Sequence, residues 1–300
     1  MATNPTSDKV SNRGAATETE PKPSAFSRLF NRNGHEKKTP PPAPMKGPAK
    51  TVAREYFESA VVTVVMALFG MTFIVQAVKV PTGSMQNTIK IGDHLLVNKF
   101  IFAPGKSLPF LPQREIRRGD IIVFKYPGNP RNPQGDQRSD NRPFLTNYVK
   151  RVIGLPGDRI RINNQDVMVN GELLPEHRIH AEDIREGAPL KEDENVPPRK
   201  PEEPYSVYYG NDREPIDPDQ QPYSGLQEFV VPENSYYVLG DNRDNSQDSR
   251  FWGFVPRDLV IGRAMFVYWS FDESAEPTGY GLFVDFFANT RWERTGTLVK

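Results

Sequence analysis

Between Tyr148 and Asp158 the chain reads Tyr-Val-Lys-Arg-Val-Ile-Gly-Leu-Pro-Gly-Asp. Six residues dominated by β-branched and aromatic side chains run into a Gly and then a Pro-Gly-Asp turn, the pattern of a short strand closed by a tight reversal. Strand side chains alternate between faces, so Lys150 shares a face with Tyr148 and Val152 while Arg151 points the other way. The same pattern recurs at Ile121-Ile-Val-Phe-Lys-Tyr126, Glu228-Phe-Val-Val231, Tyr236-Tyr-Val-Leu239 and Ala264-Met-Phe-Val-Tyr-Trp269. Turn residues at Arg118-Gly-Asp120, Asn170-Gly171 and Leu239-Gly-Asp-Asn242 bound these runs. His94-Leu-Leu-Val-Asn-Lys-Phe100 reads as a further strand. Short strands at this spacing predict a mainly β domain over residues 79–300, an antiparallel barrel or sandwich rather than a set of βαβ units.

Upstream, the twenty residues Ser59–Val78, SAVVTVVMALFGMTFIVQAV, carry no charge. As a helix they would extend about 30 Å, the thickness of a bilayer's hydrocarbon core. Thr63, Thr72 and Gln76 are too sparse to give such a helix the polar face of a soluble core helix. A cleaved leader fits poorly, because the run starts about 58 residues in and no small-x-small site follows it. The expectation is a single transmembrane helix over 59–78. Ten Lys/Arg precede it in residues 1–58, with Lys46, Lys50 and Arg54 closest, which by the positive-inside rule puts the N-terminus in the cytoplasm and the β domain outside. Residues 1–58 read as a disordered cytoplasmic tail, since eight of the 29 prolines lie in 1–50 among polar, low-complexity sequence.

A second departure from the β pattern lies at 181–220, with 12 Asp/Glu, five Lys/Arg and seven prolines. It reads as an exposed acidic, Pro-rich insertion, about 177–226, outside the strand-bearing core. Over the whole chain 38 Lys/Arg balance 38 Asp/Glu, which argues against a nucleic-acid partner. Cys is absent, which removes disulfides, thiol nucleophiles and thiolate metal sites.

Four histidines remain, at 35, 94, 177 and 180. His35 lies in the tail, His94 opens a strand, and His177-x-x-His180 reads as a solvated loop pair with no third metal ligand beside it. Asp241-Asn-Arg-Asp-Asn-Ser246 resembles a calcium loop only superficially: Arg243 occupies a ligand position and the required glycine is missing. One hydroxyl stands out. Pro81-Thr-Gly-Ser-Met85 sets Ser84 in a turn six residues past the apolar run, where the glycine allows close backbone approach. A serine nucleophile needs a base, and without an available histidine a neutral lysine is what remains. Lys150 has two readings: a base whose ammonium is disfavoured by an apolar face, or a side chain that reaches solvent at a sheet edge. Lowering its pKa to near 8 would cost roughly 3 kcal/mol. Gly240-Asp-Asn-Arg-Asp-Asn-Ser-Gln-Asp-Ser-Arg250, almost wholly polar between a strand and an aromatic run, would suit a network that orients such a base.

Taken together, Pro81-x-Gly-Ser-Met85 with Ile91-Gly-Asp93, Arg118-Gly-Asp-Ile-Ile-Val-Phe-Lys125, Lys150-Arg-Val-Ile-Gly-Leu-Pro-Gly-Asp158 and Gly240–Arg250 resemble the four ordered motifs of type I signal peptidases, the bacterial leader peptidases. The resemblance covers about 80–165 and 228–270, after an apolar span in the matching place, and leaves out the tail and the insertion. It implies a membrane-anchored serine–lysine endopeptidase of the bacterial inner membrane that removes signal peptides from exported preproteins after small residues. Ser84 would be the nucleophile and Lys150 the general base. The N–H of Ser84 and the hydroxyl of Thr82, where serine is common in the family, would form the oxyanion hole. Ser246, Asp248 and Arg250 would hold the base in place. Val80, Met85 and Val149 flank this pair in sequence and are expected to line the pocket for the small residue. No metal or cofactor is implied, and the expected partners are preproteins and the lipid bilayer, with the chain itself monomeric. The apolar loop Phe100–Leu111 is open to two readings, a dip into the bilayer surface or packing on the β domain.

Overall fold

The computed structural model describes residues 51–103, 113–137, 141–181, 196–210, 219 and 221–300. Helix α1 (Val52–Phe69) continues through one wider turn to Ile74. Then come β1 (Val75–Lys79), β2 (Asp93–Asn98), β3 (Ile121–Lys125), β4 (Asn147–Gly154), β5 (Arg159–Asn163), β6 (Asp166–Val169) and β7 (Glu172–Leu173). They are followed by β8 (His177–Ala181), β9 (Ser206–Gly210), β10 (Gly225–Val230) and β11 (Ser235–Leu239). Helix α2 (Ser249–Trp252), β12 (Val255–Pro256), β13 (Val260–Ser270) and helix α3 (Leu282–Ala288) complete the chain.

The large sheet is antiparallel in the order β1-β2-β13-β3-β4-β11-β12, open at both ends, and a smaller antiparallel sheet runs β10-β5-β6-β7. Irregular register along β13, between Ala264 and Phe266 and between Val267 and Trp269, bends the strand, and such bulges curl a sheet. The antiparallel β expectation therefore holds, with a curled sheet in place of a closed barrel. Gly262 lies where a Cβ would run into the main chain of Asn98, so β13 and β2 approach closely only because the side chain is absent. Three large apolar clusters fill the interior among the described residues, with a small fourth of Ile179, Ala181 and Tyr208. One gathers Val80, Met85, Leu95, Val97 and Val123; another Ile122, Phe124, Val152, Val238 and Trp252; a third Ile153, Ile160, Val207, Tyr209 and Tyr237.

Two expectations about boundaries are corrected. The uncharged run 59–78 is not one helix: the helix starts earlier, at Val52, and stops at Ile74, and Val75–Lys79 pairs with β2 in the register Val75↔Asn98 to Lys79↔His94. A continuous apolar run shows no period, so a helix and a buried strand look alike in it. Val78 is apolar because it packs into the β core. Residues 52–58, expected in the tail, belong to α1, while residues 1–50 lie outside the described residues.

The acidic insertion is also corrected. It carries strands: β8 and β9 pair in parallel, and Tyr205, Val207 and Tyr209 enter the third cluster. Acid and proline content dominated the average composition and hid the five-residue, largely buried strand β9. Residues 182–195, 211–218 and 220 of that segment lie outside the described residues. His177 is buried on β8 with Nδ1 3.1 Å from Glu203 Oε2, whereas His180 is exposed on the opposite face, so the two do not form a pair. Phe102 is buried in the second cluster and unavailable to a bilayer; Phe110 lies outside the described residues. At the other end of the chain, α3 leaves Leu282, Phe283, Phe287 and the nearby Trp292 exposed.

Candidate active site

The turn after β1 and the start of β4 bring Ser84 and Lys150 together. Ser84 is held by its carbonyl, which accepts from Asn242 N at 3.1 Å, and the side-chain amide of Asn242 donates to Gly83 O at 3.3 Å. Lys150 sits on β4 opposite Ile122 of β3 and is buried to 3% exposure. Its Nζ lies 2.5 Å from Ser84 Oγ. The reading in which Lys150 escapes to solvent is thereby removed. Burial pushes the Lys150 ammonium down to about 8; Asp248 and Asp241 oppose the shift and Arg250 adds to it.

The polar stretch 240–250 forms the frame behind the lysine. Asp248 accepts from Gly240 N at 3.0 Å and from Arg250 Nε at 2.8 Å, and it caps α2 through Arg250 N. Arg250 in turn donates to Arg243 O and Ser246 O. Despite its full burial, the Asp248 carboxyl is held below the usual range by the charge and hydrogen bonds of Arg250. A Cβ at Gly240 would collide with Ser246 Oγ and Ser84 O, so the loop closes on Ser84 only with glycine there. Ser246 is buried beside this contact, yet its Oγ has no hydrogen-bond partner among the described residues. Of the three residues expected to support the base, Asp248 and Arg250 are thus joined to each other and to the loop, and Ser246 contributes its carbonyl.

Sequence reasoning missed a second buried pair. Arg151, on the opposite face of β4 from Lys150, donates from Nε and Nη2 to Asp241 at 2.8 and 2.7 Å, and Thr88 Oγ1 donates to the same carboxylate at 2.6 Å. The guanidinium lies 4.0 Å from the ring centre of Tyr205. Arg243 pairs with Glu176, and Tyr208 N donates to Asp241 O at 2.8 Å, so the insertion's β9 braces the 240–250 loop. Nothing in the sequence flagged Arg151 beyond its outward register, because its partner stands 90 residues away.

Ser84 and Lys150 open onto a cleft of about 490 Å³. Val80, Met85 and Val149 line it, as expected from their positions, with exposed Thr82 at its mouth. Asn147, Tyr148, Asn245 and Gln247 also line it, none of which the sequence singled out. Two strand edges border the opening. β1 ends the sheet, and β11 meets β4 only from Arg151 onward. Ser84 N–H donates to no main-chain carbonyl among the described residues.

A hydroxyl against a buried lysine, between strand edges that can pair with an extended chain, is the equipment of a peptide-bond hydrolase. The family model described as "Signal peptidase, peptidase S26" matches residues 53–269, and the chain belongs to that family. Its reaction is the cleavage of signal peptides from preproteins. The signal peptidase I of Pseudomonas aeruginosa is 32% identical over 235 residues, 73% of each chain. That of Haemophilus influenzae is 29% identical over 277 residues, 83% of this chain and 76% of the other. A solved structure of a signal peptidase I from Enterococcus faecalis shares 26% identity, covers 50% of this chain and 97% of its own, and superposes with a TM-score of 0.27.

Proposed function

We propose that Ser84 is the nucleophile and Lys150 the general base of a membrane-anchored endopeptidase that cuts preproteins after small residues. The observation that carries this is the buried 2.5 Å contact between Lys150 Nζ and Ser84 Oγ. Neutral Lys150 takes the hydroxyl proton as Ser84 Oγ attacks the scissile carbonyl carbon. The resulting oxyanion accepts from Ser84 N–H and from the Thr82 hydroxyl. Lys150, now an ammonium, protonates the leaving nitrogen, which departs with the mature chain. Water then adds to the acyl–serine, giving its proton to Lys150, which returns it to Ser84 Oγ as the ester bond breaks and the signal peptide leaves as an acid. No metal or cofactor enters this scheme. Asp248 and Arg250 keep the lysine in position, with Ser246 beside them. Before the attack, the substrate lies extended beside β1 and β4, and Val80, Met85 and Val149 leave room for a small side chain only.

The helix Val52–Ile74, 23 residues with an 18-residue stretch of mean hydropathy 1.9, would extend about 34 Å and span the bilayer. Its hydroxyls suit lipid, because Thr63 and Thr72 donate to carbonyls one turn back at 2.8 and 2.7 Å. The basic flank keeps the N-terminus in the cytoplasm and places the β domain, as a monomer, on the outer face of the bacterial plasma membrane. The exposed aromatic surface of α3 adds further apolar area for bilayer contact.

Cleavage of a preprotein by the wild-type protein, Ser84→Ala and Lys150→Ala in detergent tests the mechanism. Both variants should be inactive while keeping their circular dichroism. Activity surviving in either would overturn the assignment, and substrate binding without cleavage by the wild type would point to a tethered binding domain.

A further inference from the structure

Ser84 sits in the connection between β1 and β2, residues 80–92, which the main chain closes at its base. Gly92 N donates to Val80 O at 3.1 Å, and Val80 N donates to Asp93 O at 2.9 Å. Within the connection Gln86 N donates to Gly83 O at 3.0 Å and Ile89 N to Met85 O at 2.7 Å. Ser84 and Thr88 are therefore joined by consecutive turns, and a shift at Thr88 reaches Ser84 within four residues.

The far end of these turns is gripped by residues 291–299, which no motif in the sequence covers and which lie beyond residue 269, where the family match ends. Asp93 is fully buried, and Arg294 meets its carboxylate with Nε at 3.2 Å from Oδ1 and Nη2 at 2.5 Å from Oδ2. The same Nη2 donates to Thr88 O at 3.2 Å. Asp93 also accepts from Lys90 N at 2.9 Å and from Ser270 Oγ, at the end of β13, at 2.7 Å. Arg291 Nη1 donates to Ile91 O at 2.9 Å, and Val299 joins Met85 and Ile89 in the first apolar cluster. On the other side of the turns, Thr88 Oγ1 donates to Asp241, whose neighbour Asn242 donates from N to Ser84 O. Two routes thus lead from the Arg294 guanidinium to Ser84, one along the turns and one across the 240–250 loop. Among the described residues Arg294 does not line the catalytic cleft, so it acts on Ser84 without touching a substrate.

We infer that Arg294 is a positioning residue for the cleavage reaction: by holding the Asp93 carboxylate and the Thr88 carbonyl together, its guanidinium fixes the turns that set Ser84 Oγ against Lys150 Nζ. The chemistry requires arginine. A planar fork engages both carboxylate oxygens and still has an N–H for the carbonyl, whereas a lysine ammonium is a point charge on a flexible stem. Small displacements matter here, because a misplacement of about 1 Å far from the reacting atoms can cost roughly 100-fold in rate.

The inference rests on Ser84 being the nucleophile, and the test separates the two. Full-length wild type, Arg294→Gln and Arg294→Lys are compared in detergent by steady-state preprotein cleavage from pH 6 to 10, well below their melting temperatures. In Arg294→Gln, kcat should fall about 10- to 100-fold at pH 8. The acid limb of its profile should also move to higher pH. Burial is the main cause of the lowered Lys150 pKa, and displaced turns admit water to the ammonium while Asp241, Asp248 and Arg250, the charges acting on it, remain. Arg294→Lys keeps a charge beside Asp93 but loses the fork, so its kcat should recover in part and stay at least about 3-fold below wild type. A merely structural role would lower only the amount of folded protein, scaling the rate equally at every pH. An equal loss at every pH, a kcat within about 2-fold of wild type in Arg294→Gln, or full kcat in Arg294→Lys would each overturn the inference. Where Arg294→Gln does not fold, Arg294→Lys decides on its kcat and acid limb. Cleavage surviving in Ser84→Ala would overturn the nucleophile and the positioning role together, whereas the Arg294 results bear on the positioning role alone.

Discussion

Titration of Lys150 offers the sharpest test of the site, because burial gives it a number. In the unfolded chain its ammonium loses a proton near 10.5; folded, it does so at about 8. The base works only when neutral, so kcat/KM should rise with pH to a plateau, with its acid limb centred near 8. At pH 7 about one-tenth of the protein would be active, against roughly 0.03% for an unshifted lysine, an advantage of about 300-fold. The same shift acts on stability. Between about 8 and 10.5 the unfolded chain binds more protons than the folded one, so stability rises with pH across that window. Below 8 the buried ammonium costs about 3 kcal/mol of folding free energy. Lys150→Met removes that cost, and should melt at a higher temperature than wild type at pH 7 while being inactive, with the gap closing as pH approaches 10.5. Preprotein cleavage from pH 6 to 10 and thermal melts over the same range measure both. A flat rate profile down to pH 6, or a Lys150→Met variant no more stable than wild type at pH 7, would refute the reasoning.

Asp248→Asn should move the acid limb to lower pH, because the carboxylate favours the lysine ammonium and its loss leaves burial and Arg250 acting together; an upward move in the pH–rate profile would be the wrong sign. Thr82→Val should lower kcat by about 100- to 1,000-fold, the loss of one oxyanion donor, with Thr82→Ser close to wild type in the same steady-state assay. Arg151→Met strands the Asp241 carboxylate in the interior and should cost about 3–5 kcal/mol by chemical denaturation; replacing both partners with apolar residues should recover much of that loss.

Much of the fold follows from local chemistry. Alternation and turn residues place β3, β4, β11 and β13 where side-chain period and Gly/Asp/Asn turns require them, since those signals lie within a few neighbouring residues. The uncharged run after Ser59 announces an apolar helix by composition alone. Ser84 and Lys150 were legible as candidates, one by its turn and the other by its face on a strand. Other features escaped because their causes are distant or averaged away. β9 was hidden among prolines and acids, and α1 yields to β1 at Val75 only because β2 is there to pair with it.

The sequence by itself thus determined the secondary-structure alphabet, the apolar helix and the short list of reactive side chains, all properties of residues and their near neighbours. Tertiary structure decided whether Lys150 is buried beside Ser84 or a surface cation, since its 3% exposure and its contact with a serine 66 residues away exist only once the sheet has curled. It likewise decided that Arg151, one residue along, is a buried ion-pair partner rather than a solvated charge. The physical reason is common to both. Desolvation and Coulomb interaction depend on distances through space, and a chain acquires those distances only by folding.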